Sequence, residues 1–180
     1  DIPTAKQLCQ IGTGPVVIKK DGLALGKGVQ IIDGPLVIEE FLTGMEISTH
    51  AFCDGKTFKM FPTSQDHKTI FDGDKGPNTG GMGTIAPAQS YDVSDIVGKV
   101  VQKLGYKGVL YPGLMLTKEG VRVLEFNARF GDPETQSYMR LLKTDLLEII
   151  DACIDGTLDE LDIQWHDGYA ATVVMASGGY

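Results

Sequence analysis

The feature that most constrains the fold is a polar, glycine-rich segment near the middle of the chain, from Gln65 to Gly83. Its last eleven residues, from Gly73 on, include five glycines and one proline. Glycine loses more conformational freedom on folding than any other residue, so we expect these eleven residues to form neither a strand nor a helix. A loop of defined conformation whose backbone approaches a ligand is the better account, since loops of this kind carry function.

Composition predicts a globular protein of one domain or two small lobes. The 180 residues are 42% hydrophobic and 22% charged, and the net charge is −8. Nucleic acid is an unsuitable partner for so acidic a chain, because phosphate backbones need a basic surface. A nucleotide remains compatible, since a local cluster of lysine and glycine is enough to bind it. No apolar run approaches the length of a membrane span, so we expect no membrane partner.

The three cysteines favour a reducing compartment. Cys9, Cys53 and Cys153 are widely spaced, and no CxxC or Cys/His metal pattern is present. This is typical of buried free thiols in the cytosol, and no signal peptide opens the chain, so we expect a cytoplasmic protein. The chain begins at Asp1 and ends just after a predicted strand, as part of a longer protein would.

Periodicity predicts an α+β fold built on antiparallel sheet. Helices are expected at 93–104, ending at Gly105, and at 144–154. Hairpin turns are indicated at 54–55 and 118–120. The predicted strands are 15–19, 29–32, 36–41, 45–53, 57–61, 109–116, 121–126 and 169–176.

Lys19 and the loop after it form the first candidate phosphate site. A buried strand would deliver Lys19 to its exposed end, and the loop contains Gly26, Lys27 and Gly28. Glycines let backbone N–H groups approach phosphate oxygens, and lysine adds a positive charge. The pattern is not a Walker A motif. Taken alone this is a weak signal, and a solvated hairpin with surface lysines is the alternative interpretation.

A second candidate site begins where the strand at 36–41 becomes a linker. Free backbone N–H and C=O groups at such a strand end suit the edge of an adenine. The carboxylate of Glu46, a few residues on, could accept hydrogen bonds from ribose hydroxyls. An edge strand with exposed acids is the alternative. The residues concerned are Glu39, Glu40, Phe41, Leu42 and Glu46.

The sharpest pattern lies between Leu124 and Glu134. Alternate residues of a strand share a face, so Glu125 and Asn127 should lie side by side while Leu124 and Phe126 enter the core. Two oxygen donors suit Mg²⁺, which takes its remaining ligands from water and phosphate.

Three further side chains have both a functional and a purely structural interpretation. Arg129 and Asp132 would lie at the mouth of the strand that holds Glu125, either as site residues or as a structural ion pair across a turn. His67 could carry a proton, but a single histidine is more often a hydrogen-bonding or positioning group.

Taken together, these motifs resemble the ATP-grasp enzymes and, within them, the phosphoribosylamine–glycine ligase (glycinamide ribonucleotide synthetase) family. The resemblance runs over most of the chain. It is most specific in the Gln65-Asp66-His67-Lys68 segment, the Gly76–Gly83 loop and the stretch from Leu124 to Gln136. Supporting segments are Val17–Val29, Val37–Leu42, Gly108–Thr117 and Val173–Tyr180.

The resemblance implies an ATP-grasp fold of two lobes of mainly antiparallel sheet with packed helices. Residues 1–42 would form an incomplete small lobe, and residues 43–180 the large lobe with the substrate and metal site. The implied reaction joins glycine to 5-phosphoribosylamine through glycyl phosphate, using ATP and Mg²⁺ or Mn²⁺. The family's N-terminal and C-terminal domains are absent from this chain and are its expected partners.

The same resemblance implies a role for each candidate residue. The cofactor-binding residues would be Lys19, Gly26, Lys27, Gly28, Glu39, Glu40, Phe41, Leu42 and Glu46. The metal ligands would be Glu125 and Asn127. The substrate residues would be Asp66, His67, Lys68, Asn78, Thr79, Gly80 and Gly81, with Arg129 and Asp132 in catalysis.

Relative to the family, the chain is short after Ile11, between Val29 and Val37, and between Leu104 and Gly105, which predicts omitted segments. Two rival functions stay open. Another ATP-grasp carboxylate–amine ligase, using formate or bicarbonate, would not share the Gln65–Gly83 segment. A nucleotide-binding module without catalysis is the second rival, although intact metal-site and lysine positions favour an enzyme.

Overall fold

The computed structural model describes residues 16–20 and 36–179, with side chains from residue 39 on. The chain divides into two compact units, Asp1–Thr43 and Gly44–Tyr180. The predicted lobes divide one residue earlier, and their assignment to these units stays a prediction.

The first unit contains an antiparallel pair of strands. They are β1 (Val16–Lys20) and β2 (Leu36–Glu40), with Ile18 opposite Ile38. The strands predicted at 15–19 and 36–41 are thus confirmed. The strand predicted at 29–32 and the glycine loop before it lie outside the described residues.

The second unit contains β3 (Met45–Ser48), β4 (Ala51–Asp54), β5 (Phe58–Met60), β6 (Gln65–Asp66), β7 (Thr69–Phe71), β8 (Lys75–Asn78), β9 (Gly83–Ala86), β10 (Lys107–Thr117), β11 (Gly120–Asn127) and β12 (Ala170–Val173). The central strand of its larger sheet is β10. Along one edge β10 pairs with β11, and along the other it pairs first with β4 and then with β3, all antiparallel. The hairpins predicted between β4 and β5 and between β10 and β11 are confirmed.

The larger sheet is interrupted between β3 and β4, so the single strand predicted over 45–53 is wrong. Ser48 pairs with Gly113 and Ala51 with Leu110, which leaves Thr49 and His50 outside the ladder beside Pro112. Proline has no N–H to donate, so β10 loses little by passing a break at this point. His50 turns inward and is 0% exposed. The interruption therefore delivers a histidine to the interior.

The described residues form three helices, α1 (Ser94–Leu104), α2 (Glu134–Leu141) and α3 (Leu146–Asp155). Helices α1 and α3 pack on opposite faces of the larger sheet. Cys53 belongs to the apolar cluster with α1, and its neighbour on β4, Phe52, belongs to the cluster with α3. Neighbouring residues of a strand point to opposite faces, so the two helices lie on different sides. Both helices are confirmed, and Gly105 ends α1 in the left-handed conformation as predicted. Within the part of the chain described here, none of these helices is long and apolar enough to cross a membrane.

Helix α2 is absent from the sequence-based prediction. It contacts β9 and β12, which belong to a smaller sheet of order β12-β9-β6. Its buried face carries Glu134 and Ser137 beside Tyr138 and Leu141. The two polar residues interrupt the apolar periodicity by which a helix is found. Strand β12 ends at Val173, earlier than predicted.

The expectation that the glycine-rich segment forms no strand is wrong. Strands β7 and β8 pair antiparallel, with Gly73 and Asp74 in left-handed conformations between them (φ +71° and +55°). All four residues of β8 are exposed. A short surface hairpin tolerates glycine because its strands do not need to pack side chains into a core. Its tight turn also requires residues with positive φ, which glycine adopts readily.

Candidate functional site

Glu125 and Asn127 lie together at the end of β11. Asn127 Nδ2 is 3.3 Å from Glu125 Oε1 and 3.4 Å from the main-chain oxygen of Tyr111. Glu125 pairs with Gly113, and a Cβ on that glycine would lie 3.3 Å from Glu125 Cγ. Because Gly113 has no side chain, the Glu125 side chain has room beside β10. The structure thus brings the two predicted metal ligands together.

Strand β11 contains a register shift, and the burial of its apolar residues differs from the prediction. The shift falls between Gly113 and Leu114 of β10 and places one extra residue on β11, which is a β-bulge. Leu124 is half-buried, but Phe126 is 49% exposed, so the prediction that Phe126 enters the core is wrong. In the described part of the chain, β11 has β10 as its sole neighbour, and an edge strand leaves such a side chain uncovered.

Glu125 and Asn127 fit a hard divalent cation by their chemistry. The Glu125 carboxylate is exposed, and Asn127 Oδ1 contacts Arg129 Nη2 at 3.3 Å. Two oxygen donors are enough for Mg²⁺, which completes its shell with water and phosphate oxygens. Among the described residues, no group of three or more His, Cys, Asp or Glu side chains could hold a metal ion unaided. The pair therefore suits an ion that arrives with a phosphate ligand.

The alternative of a turn ion pair between Arg129 and Asp132 is not found in the described residues. Arg129 donates instead to the main-chain oxygen of Phe130 at 2.9 Å and to Asn127. Asp132 Oδ1 accepts from Gln136 Nε2 at 2.7 Å. Both side chains are exposed, and the guanidinium is anchored one hydrogen bond from a candidate metal ligand.

Lys68 lies between two acids. Its Nζ is 3.3 Å from Asp66 Oδ2 and 3.8 Å from Glu46 Oε2. Burial raises the pKa of Asp66 to about 6, although the nearby ammonium opposes that shift. Burial alone would lower the pKa of Lys68, but the two carboxylates reverse this and raise it above its ordinary value. A predicted ribose residue, Glu46, therefore lies beside two predicted substrate residues.

His67 follows β6, and its ring contacts the β7–β8 hairpin. Its Nε2 lies 3.2 Å from the main-chain oxygen of Phe71 and 3.3 Å from Thr69 Oγ1, and its Nδ1 lies 3.4 Å from Asp74 Oδ1. Both ring nitrogens thus contact this one hairpin. These contacts favour the positioning interpretation over proton transfer.

At Gly81, three of the sequence motifs meet. A Cβ at this position would lie 2.4 Å from Pro133 Cδ and 3.0 Å from Asp66 Oδ1, and φ is +130°. Thr79 Oγ1 accepts from the Gly81 N–H at 3.0 Å and donates to the Lys68 main-chain oxygen at 2.8 Å. The glycine-rich loop therefore packs its backbone directly against the two other motif segments. Gly80 precedes this contact, and Asn78 is exposed on β8.

A buried polar cluster next to these segments was missed by sequence reasoning. Glu134 is 1% exposed, and its Oε1 accepts from Tyr111 Oη at 2.6 Å and from Ser48 Oγ at 3.1 Å. His50 stacks on Tyr111 with ring centroids 4.2 Å apart. The sequence carries no signal for His50, Tyr111 or Ser48, because they come from β3, β10 and the break after β3 and form no local motif. Glu134 ends the sharpest motif and could have been singled out there.

The burial of His50 predicts a pH dependence of stability. Burial, with a further contribution from Arg129, lowers the pKa of His50 from 6.5 to about 3. Below pH 6.5 the unfolded chain takes up a proton that folded His50 does not, so stability falls as pH falls toward 3. The loss between pH 6.5 and pH 5 should be about 2 kcal/mol.

Comparison with His50→Gln isolates this contribution, because the raised pKa of Asp66 acts in the opposite direction in both proteins. Urea unfolding at the two pH values, followed by Trp165 fluorescence, measures it. Equal pH dependence in wild type and variant would show that His50 does not titrate as described.

The remaining candidates belong to the first unit. Lys19 lies on β1 opposite Val37, and Glu39 lies on β2 opposite Val17. Glu40 and Phe41 are exposed, and Leu42 is half-buried. Gly26, Lys27 and Gly28 lie outside the described residues. The role of this group in nucleotide binding stays a prediction.

Solved structures define the class of fold. The chain superposes on the phosphoribosylamine–glycine ligase of Thermotoga maritima with a TM-score of 0.86 and 33% identity, over 97% of this chain and 52% of that one. The biotin carboxylase domain of the Hydrogenobacter thermophilus 2-oxoglutarate carboxylase gives a TM-score of 0.66 at 15% identity, over 95% of this chain and 43% of that one. The predicted α+β, ATP-grasp class is confirmed.

The family follows from the sequence comparisons. Residues 32–135 match the model for the phosphoribosylglycinamide synthetase ATP-grasp (A) domain, and the chain belongs to this family. The phosphoribosylamine–glycine ligase of Caldanaerobacter subterraneus subsp. tengcongensis is 46% identical over 200 residues, covering 92% of this chain and 48% of that protein. The chain thus spans about half the length of the curated relatives it matches.

Proposed function

We propose that this chain is the ATP-grasp part of an enzyme that ligates glycine to 5-phosphoribosylamine, giving glycinamide ribonucleotide in de novo purine biosynthesis. A glycine carboxylate oxygen attacks the γ-phosphorus of ATP, ADP leaves, and glycyl phosphate forms. The amine nitrogen then attacks the acyl carbon, phosphate leaves, and the nitrogen gives up a proton. The observation that carries the proposal is the meeting at Gly81 of the three segments most specific to the family.

Backbone groups and lysine side chains would bind different parts of ATP. The phosphates would contact Lys19 and the loop that follows it. The adenine edge would meet main-chain groups of β2 and its linker, and the ribose would meet Glu46. The full set is Lys19, Gly26, Lys27, Gly28, Glu39, Glu40, Phe41, Leu42 and Glu46.

Glu125 and Asn127 would hold Mg²⁺ or Mn²⁺. Such an ion, when bound, neutralises the charge of the phosphates. Arg129, hydrogen-bonded to Asn127 Oδ1, would fix the amide and present a second cation to anionic substrate groups. Charge neutralisation and alignment are what acyl phosphate formation requires, because no protein nucleophile takes part.

The acceptor end would be formed by the segments around Gly81. Lys68, held between Asp66 and Glu46, offers a fixed ammonium to an anionic group of the substrate. The other members of this set are His67, Asn78, Thr79, Gly80, Gly81 and Asp132. The relatives are about twice as long as this chain, so domains outside it would complete the acceptor site and this chain alone would not turn over.

A cytoplasmic location is part of the proposal. Cys53 and Cys153 are both buried and free. Free thiols persist in a reducing compartment.

The reaction is tested by phosphate release from ATP in the complete protein supplied with 5-phosphoribosylamine. Glycine should stimulate release, whereas formate and bicarbonate should not. Stimulation by formate or bicarbonate alone would assign the chain to another ATP-grasp ligase. Mg·ATP binding by calorimetry without any release would assign it to the nucleotide-binding modules.

Gly81→Ala should damage acceptor use more than nucleotide binding. The added Cβ meets Pro133 and Asp66 at a backbone position that disfavours side chains, so both neighbours must shift. We expect about a tenfold loss of kcat/KM for the amine substrate, with the Kd for ATP unchanged.

Gly73→Ala is the matched control. Gly73 also has a positive φ, +71°, but no atom lies within 4 Å of its Cβ position. Gly73→Ala therefore places a side chain at a residue with positive φ but displaces no neighbouring atom. Equal losses in the two variants, or a loss confined to ATP affinity, would contradict the acceptor assignment.

A further inference from the structure

Gly131, in the loop after β11, is enclosed by two buried side chains from elsewhere in the fold. Its N–H donates to His50 Nε2 at 2.9 Å. A Cβ on Gly131 would lie 2.6 Å from Glu134 Oε2 and 2.7 Å from His50 Nε2. Its carbonyl oxygen accepts from Thr135 Oγ1 at 2.5 Å. Both polar groups of this residue are thus held, and a side chain at this position would displace Glu134 or His50.

The enclosing side chains are themselves fixed by the larger sheet. Glu134 Oε1 is held by Tyr111 on β10 and Ser48 on β3, and His50 stacks on the Tyr111 ring. Because Nε2 accepts the Gly131 N–H, the ring hydrogen of neutral His50 lies on Nδ1. Within the described residues, His50 Nδ1 and Glu134 Oε2 have no hydrogen-bond partner. Buried polar atoms without a partner lower the free energy of unfolding, so stability alone does not account for this arrangement.

The enclosed residue follows directly on the candidate site. Glu125, Asn127 and Arg129 precede Gly131 and Asp132 follows it, and Arg129 is bound to both Asn127 and the Phe130 main chain. A shift of Gly131 would therefore move the Arg129 anchor and the Asn127 amide together. Small displacements of this kind have large effects in sites that work by alignment.

We propose that His50 and Glu134 are positioning residues that hold Gly131, and with it the segment Asn127–Asp132, in the conformation that binds the metal–nucleotide and substrate. This inference rests on the proposed function. Neither residue touches the reacting atoms; they act through the loop that they enclose.

The test compares His50→Leu with His50→Gln in the complete protein. Leucine fills the space without an acceptor, whereas the glutamine carbonyl can accept the Gly131 N–H. Mn²⁺ binding in the presence of ADP, measured by electron paramagnetic resonance, should weaken about tenfold in His50→Leu and stay within about threefold of wild type in His50→Gln. Hydrogen exchange of the Gly131 amide should speed up in the first variant and recover in the second.

Unchanged Mn²⁺ binding in His50→Leu, equal impairment in both variants, or no Mn²⁺ binding by wild type would overturn the inference. If His50→Leu does not fold, Tyr111→Phe decides, because it keeps the ring stack and removes only the hydroxyl, which donates to Glu134 Oε1 and contacts Ser48 Oγ at 3.1 Å. It should weaken Mn²⁺ binding, while Tyr138→Phe, which removes the buried hydroxyl bonded to Ser64, should not. Equal Mn²⁺ affinity in these two variants would also overturn the inference.

Glycine-dependent turnover is measured separately on wild type. The expected Mn²⁺ pattern without glycine dependence would refute the proposed function and leave the positioning role intact.

Discussion

Glu125→Gln is expected to leave folding intact and to lower ATP turnover by about a hundredfold or more, equivalent to roughly 3 kcal/mol of transition-state stabilisation. The substitution keeps the shape of the side chain and removes the negative charge that a divalent ion requires. The side chain is exposed on β11, so a packing defect would not account for the loss. Steady-state phosphate release by the complete protein at saturating Mg²⁺ measures the effect.

Glu119→Gln is the control, because it removes a carboxylate from the same hairpin. Glu119 is exposed and pairs with Arg122 at 2.7 Å, away from the strand end that holds Glu125. Exposed ion pairs of this type contribute at most about 1 kcal/mol to stability, so turnover should not change. Wild-type turnover in Glu125→Gln would refute the metal assignment.

Tyr138→Ala is expected to destabilise the second unit by about 4 kcal/mol, the cost of removing a large aromatic side chain from a packed core. Tyr138 is fully buried on α2, with ring centroids 5.1 Å from Phe61 and 4.9 Å from His50. Urea unfolding followed by the fluorescence of Trp165, the one tryptophan in the sequence, reports on this core directly, because Trp165 packs on Phe61 at 5.3 Å.

Tyr138→Phe separates the ring from its hydroxyl. The hydroxyl donates to Ser64 Oγ at 2.7 Å, so its loss should cost about 1 kcal/mol while the packing remains. A loss in Tyr138→Ala no larger than in Tyr138→Phe would show that α2 is not packed as described.

Elements with a strong local signal were predictable from the sequence. The helices around Val97 and Ile149 follow from apolar spacing, and the hairpin that ends at Gly120 follows from its turn residues. The pairing of Glu125 with Asn127 follows from the period of a strand. Each of these needs information from a few neighbouring residues only.

Features that depend on distant contacts were not predictable. The burial of Phe126 depends on a register shift and on what covers an edge strand, and neither is encoded locally. Helix α2 hides its amphipathic pattern because Glu134 is buried by partners on other strands. The inward turn of His50 follows from a break beside Pro112 that only the sheet reveals.

The route of the reaction is tested most directly by glycine labelled with ¹⁸O in its carboxylate. The complete protein would be incubated with this glycine, ATP and 5-phosphoribosylamine, and the released phosphate analysed by mass spectrometry. If glycyl phosphate forms, one labelled oxygen passes from glycine to each phosphate released. Phosphate that carries no label while the amide product accumulates would contradict the account.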